Sequence, residues 1–212
     1  MTALFKWGRQ SDGRDAGRAD TVADERRIRS KVLPRFLSAV AHTAAPVLVD
    51  LGPVVGPNIA FFGDRLACKI HVEDICAEVE AHARRGNRDG LRQSLLTRLV
   101  HAPGSVDGIL CWDVFDFLDR ATSQALAGRL VALLKPGGAL YGCFGTTKAE
   151  LVHYTRYQVD AEDALRARPY PATATRRDVL TTRDINKMFQ GLTIAESVLL
   201  KNSSREMLFR KL

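Results

Sequence analysis

Four short apolar runs constrain the fold more than any other feature of this sequence. They are APVLVDLG from Ala45 to Gly52, CKIHVED from Cys68 to Asp74, Val106 to Cys111, and ALYGCF from Ala139 to Phe144. Each closes on or beside an acid or a glycine. Such runs are too short for buried helices and too continuous for strands that face water on one side, so they read as strands buried on both faces. Helical patterns separate them at Asn58 to Leu66, Ile75 to Arg85, Leu91 to Val100 and Ala121 to Leu134, the last stopped by Lys135-Pro136-Gly137-Gly138. Alternating strands and helices predict an α/β fold, a mostly parallel sheet with helices on both faces. At 212 residues the chain has room for one such domain.

The two ends depart from this rhythm. Residues 1–20 read as a flexible N-terminal arm, rich in Gly, Arg, Asp and Ser, and residues 21–212 as a single domain. A helix is expected from Asp20 or Thr21, where Ile28, Val32, Phe36 and Val40 recur every four residues to form a helical cover that Pro34 bends or splits. Residues 147–183 lack a long apolar run and carry tyrosines among charges, which suits a surface insertion near a ligand mouth. Asp184 to Phe189 then reads as a helix. Thr193 to Leu200 and Glu206 to Arg210 read as an antiparallel C-terminal hairpin around the turn Asn202-Ser203-Ser204.

Charge is uneven. The chain carries a formal +7, with residues 32–146 neutral and the excess held by the two ends. A basic rim attracts RNA, DNA, an acidic small substrate or an anionic membrane, and equally serves as a solvated arginine-rich surface. Cys68, Cys76, Cys111 and Cys143 form no close pair, and His42, His71, His82 and His101 no compact ligand spacing, so buried thiols and no metal site are expected. Charge and glycine precede any apolar run that would serve as a leader, and no run approaches a membrane span. A cytoplasmic protein is the expectation.

Open parallel sheets bind ligands beyond the carboxyl ends of their strands. The first end here carries Asp50, Gly52 and Gly56, the second Glu73 and Asp74, and the end near Cys111 carries Trp112, Asp113, Phe115 and Asp116. Acids at the first two ends suit a ligand amine or ribose hydroxyls, and glycines allow close approach to the backbone. Trp112 is expected either to wall the ligand site or to pack in the core, where its indole N–H needs a polar partner. Phe115 reads as core, and Asp113 and Asp116 either as helix-capping or solvent-facing acids or as acceptor-binding ones.

In these segments the sequence resembles the class I S-adenosylmethionine (SAM)-dependent methyltransferase family. DLGPVVG resembles its first motif, with Val54 at the middle glycine, and VDGILCWDVFDFL resembles its fourth-strand motif. LVALLKPGGALYGCFG resembles its helix, Pro-Gly-Gly turn and fifth strand. The resemblance implies a Rossmann-like sheet and SAM as cofactor. It also implies Asp50 near the methionine portion of that cofactor, Gly52 and Gly56 lining it, and Glu73 or Asp74 at the ribose. Gly86 to Ser105 shows no clear strand, so the family's usual third strand is expected to be short or absent.

Methyl transfer to a small-molecule acceptor is the leading expectation. A general base is optional for a nucleophilic acceptor, and His153 and Tyr154 are the candidates if the insertion folds over the site. The alternatives are a catalytically silent methyltransferase-like binding or interaction protein, favoured by Val54, and an RNA or DNA methyltransferase, favoured by charge. Oligomeric state is open.

Overall fold

The structure is a computed structural model and describes residues 25–86, 90–169, 175–177 and 179–212. The expected arm and the expected helix start at Asp20 or Thr21 lie outside them. Four parallel strands form the centre: β2 (Val47–Asp50), β3 (Lys69–Val72), β4 (Val106–Trp112) and β5 (Leu134–Gly145). Two antiparallel strands, β10 (Thr193–Leu199) and β11 (Ser204–Arg210), complete a six-stranded sheet in the order β10-β11-β5-β4-β2-β3. Helices α2 (Gly56–Leu66), α3 (Ile75–Arg84), α4 (Leu91–Arg98), α5 (Arg120–Leu133) and α6 (Thr182–Met188) connect them.

Side-chain alternation explains why β2, β4 and β5 are apolar on both faces; β3, with Lys69 and His71, departs from the expectation of burial on both faces, because it is the edge strand. Val49, Ile109 and Leu140 face a core cluster with Ile75, Leu95, Leu130 and Ile185. Their neighbours Leu48, Leu110 and Tyr141 face a second cluster with Phe36, Phe62 and Tyr157 on the other side. Gly108 is a point of close approach in that second layer. A Cβ there would lie 2.7 Å from Leu48, 2.8 Å from Val40 and 2.9 Å from Phe36. Among the described residues, α3 leads through α4 into β4 without an intervening strand, leaving β3 at the sheet edge.

The four-residue spacing misleads at the N-terminal end. Arg26–Arg29 form strand β1, and the helix α1 covers only Leu33–Val40. Pro34 sits in the first turn, where its missing N–H costs nothing, so it begins the helix rather than bending it. Ser30 Oγ accepts the Leu33 N–H at 2.9 Å.

The 147–183 insertion is more regular than its composition suggests. Between β6 (Ala149–Val152) and β9 (Thr175–Arg177), which pair with each other, the chain forms the hairpin of β7 (Thr155–Ala161) and β8 (Ala164–Pro169). β1 pairs with β8 to make a three-stranded sheet, β1-β8-β7. Tyr157, Val159, Leu165 and Ala167 point inward at a period of two and close the second core cluster. The Lys135 to Gly138 turn survives as an excursion within β5. Leu134 and Ala139 pair with Val106 and Gly108, and the residues between them bulge out, with Gly137 at φ +77°. Lys135 Nζ reaches both Asp107 oxygens, at 2.9 and 2.8 Å, and Asp107 also accepts the Val47 N–H at 2.8 Å.

Candidate functional site at the strand ends

The chain leaves β2 for β3 on one side and comes back to β4 on the other. The carboxyl ends of β2 and β4 therefore form the topological switch point, where open sheets leave a crevice. Asp50 closes β2 and Trp112 closes β4, and the structure brings the two together. Trp112 Nε1 donates to Asp50 Oδ1 at 2.6 Å, and the Gly52 N–H donates to the same oxygen at 2.8 Å.

The Cδ1 and Nε1 atoms of the indole pack against the glycine. A Cβ on Gly52 would stand 2.5 Å from Trp112 Cδ1 and 2.9 Å from Nε1. Gly52 is thus needed for close approach, as expected, but the group approaching it is the chain's own side chain. Trp112 has φ +48°, a left-handed conformation that costs a residue with a Cβ roughly 1–2 kcal/mol. Its ring stacks on Tyr157 with centroids 5.2 Å apart and planes 11° apart, and makes a T-shaped contact with Tyr141 at 5.6 Å. Trp112 is core, 2% exposed, and stands at the switch point between β2 and β4.

Asp50 is 2% exposed. Burial pushes its pKa from 3.8 to about 6; the hydrogen bonds from Gly52 and Trp112 pull the other way, and the charge of Asp74 adds to the rise. Desolvation of a carboxylate at a strand end makes Asp50 a candidate functional residue.

Glu73 follows β3 and is engaged by the segment that stands in for a third strand. His101 Nε2 lies 3.1 Å from its Oε1 and Arg98 Nε 3.4 Å from its Oε2. The His101 ring meets His71 edge-on at 4.7 Å. Asp74 is the N-cap of α3, accepting the Ala77 N–H at 3.0 Å. Gly56 opens α2 with nothing within 4 Å of a would-be Cβ, and Val54 projects outward, 58% exposed.

The hairpin, whose Tyr157 covers Trp112, is fastened by Asn58 on α2. Its Nδ2 donates to the Tyr157 carbonyl and its Oδ1 accepts the Val159 N–H, both at 2.8 Å. His153 is exposed, and Tyr154 is buried with its ring on Phe117 at 4.1 Å. Asp113 and Asp116 are not solvent-facing: both are buried, Asp113 accepting the Thr155 N–H at 3.2 Å and Asp116 the Gly145 N–H at 2.8 Å. They tie the strand-end loop to neighbouring backbone because the helix after β4 starts later, capped by Asp119. Phe115 is in the core as expected. Sequence reasoning missed Tyr157, Asn58, Arg98 and His101. The alternation in TRYQV was a legible signal for Tyr157; the others act only through contacts distant in sequence.

SAM suits this donor set in kind: a carboxylate for its ammonium, a second acid near β3, and a glycine surface between. The space over Gly52 suits it only with the indole swung away, and Glu73 only in exchange for its present partners.

No protein-family model matches the sequence, and no curated protein matches it. Solved structures do. A SAM-dependent methyltransferase from Methanosarcina mazei is 14% identical, with 87% of this chain and 99% of that one covered at a TM-score of 0.53. One from Clostridium acetobutylicum is 13% identical over 84% and 91%, at 0.50. The magnesium protoporphyrin IX methyltransferase of Synechocystis, with bound SAM, is 16% identical over 85% and 76%, at 0.50. At these identities the likeness concerns architecture, and the chain has the fold of the class I SAM-dependent methyltransferases.

Proposed function

We propose that the protein binds SAM at the ends of β2, β3 and β4 and methylates a small-molecule acceptor. The observation that carries this reading is Asp50: a carboxylate buried at the switch point with its pKa raised, whose side-chain partner is an N–H that a cofactor ammonium can replace. Bound SAM supplies an electrophilic methyl on a sulfonium. The protein's own part is to hold that group by Asp50 and Glu73, to exclude water beneath the β7–β8 hairpin, and to align the acceptor. A dedicated base is not required of this chain: His153 is exposed and Tyr154 is packed into the core.

The second reading, a silent methyltransferase-like binding protein, is favoured by the same indole, since Trp112 already fills the space over Gly52. Calorimetric titration of SAM and S-adenosylhomocysteine into wild type and Trp112→Phe separates the two. The donor reading expects wild-type binding between roughly micromolar and millimolar, a span of about 4 kcal/mol, and tighter binding once the indole is gone. No heat in either protein at millimolar ligand sinks it and leaves the silent reading.

A further inference from the structure

The two basic ends of the chain meet in space. In the β1-β8-β7 sheet the register sets Arg27 opposite Arg166 and Arg156 opposite Arg168, with Gln158 on the other side of Arg166. These residues share the face opposite to Tyr157, Val159, Leu165 and Ala167, because alternate residues of a strand point to opposite sides. Like charges directly opposite one another weaken a sheet. Asp160 and Glu25 offset part of this: Arg166 Nη2 lies 2.6 Å from Asp160 Oδ1 and its Nη1 3.6 Å from Glu25 Oε1, and Glu25 also holds Arg168.

A cavity of about 190 Å³ opens beside this face. The loop from Val54 to Pro57 forms one wall, and Arg156, Gln158, Arg166 and Arg168 form the other. α2 starts at the loop wall without a side-chain cap, so its positive end adds to the guanidiniums. Gly56 leaves the surface there open. Guanidinium forks match the oxygens of phosphate and hold them by paired, charge-assisted hydrogen bonds.

We infer that this cavity binds a phosphate group carried by the methyl acceptor, which makes the substrate class a phosphorylated small molecule. The word acceptor rests on the function proposed above; the phosphate site does not. Donor binding and phosphate binding are therefore read separately, and loss of the first leaves the second standing.

The test is a titration of the full chain with inorganic phosphate at low ionic strength, followed by calorimetry, with acetate in parallel. Saturable phosphate binding and none of acetate is expected. Arg156→Gln and Arg168→Gln should each weaken it about tenfold or more, the loss of one hydrogen bond to a charged group, while Arg92→Gln on α4 leaves it unchanged. Glu25→Gln should tighten binding, since it removes a competitor for Arg166 and Arg168, and a misfolded protein cannot mimic a gain. Absence of saturable phosphate binding, equal acetate binding, an equal loss in Arg92→Gln, or no gain in Glu25→Gln would each overturn the inference. Single-stranded RNA or DNA held far more tightly than phosphate, and released by the same arginine variants, would overturn it in favour of a polyanion surface.

Discussion

Asp50→Asn tests the electrostatics of the crevice most directly. The wild-type carboxyl holds its proton up to about pH 6 in the folded protein, against 3.8 when freely solvated. Between those values the folded state binds the proton and the unfolded chain has released it. The stability tied to this group is therefore full below pH 3.8 and is lost as pH rises through 6. The shift corresponds to about 3 kcal/mol of destabilisation once both states are ionised, and to about half of that at pH 5. Asparagine does not titrate, and its amide oxygen can accept the same N–H groups from Gly52 and Trp112. The variant should gain on wild type by about 1.5 kcal/mol between pH 5 and pH 7.5, whatever fixed offset the amide brings. Urea denaturation of both proteins at the two pH values measures this, because only the difference between the gaps matters. A gap that is constant with pH, or that narrows as pH rises, would refute the burial argument. If Asp50 holds the cofactor as proposed, the same variant should also bind SAM more weakly, which the same calorimetric titration reads.

Other expectations follow from single contacts. Gly52→Ala should cost about 1–3 kcal/mol by forcing the indole off its seat, and most of that cost should vanish in a Trp112→Phe background when the double-mutant cycle is measured by denaturation. Asn58→Ala should cost about 2–4 kcal/mol through the two backbone groups it leaves unsatisfied, with faster amide exchange along β7 as the local signature. Gly108→Ala should destabilise by about 1–3 kcal/mol through overpacking against Leu48, Val40 and Phe36, with SAM binding unaffected because the site lies at the other end of β4.

The sequence by itself determined the sheet. VLV, GILCW and ALYGCF are apolar almost without interruption because both their faces are covered, whereas KIHV, with Lys69 and His71, lies at the sheet edge and is only partly buried. The strand-end acids were legible for the same reason, since a turn after a buried strand leaves few places for a carboxylate. The need of a buried indole for a polar acceptor was also legible in Trp112. Which acceptor it would find was not: Asp50 is sixty-two residues away, and only the return of β4 beside β2 joins them. The N-terminal segment shows how spacing misleads. Ile28 keeps the four-residue interval with Val32 and Phe36 but lies in a strand, because Arg26–Arg29 pair with β8 across more than a hundred residues. The insertion is the converse case: local composition reads as polar surface, yet Tyr157 and Val159 become core once α2 offers Asn58 to hold their backbone. Charge followed the same rule, for the sequence put an excess at each end, and strand pairing alone brought β1 and the hairpin together into one arginine face beside the glycine loop. Periodicity and burial are written locally, while a hydrogen bond or a charge cluster between distant segments exists only after the sheet has chosen its neighbours.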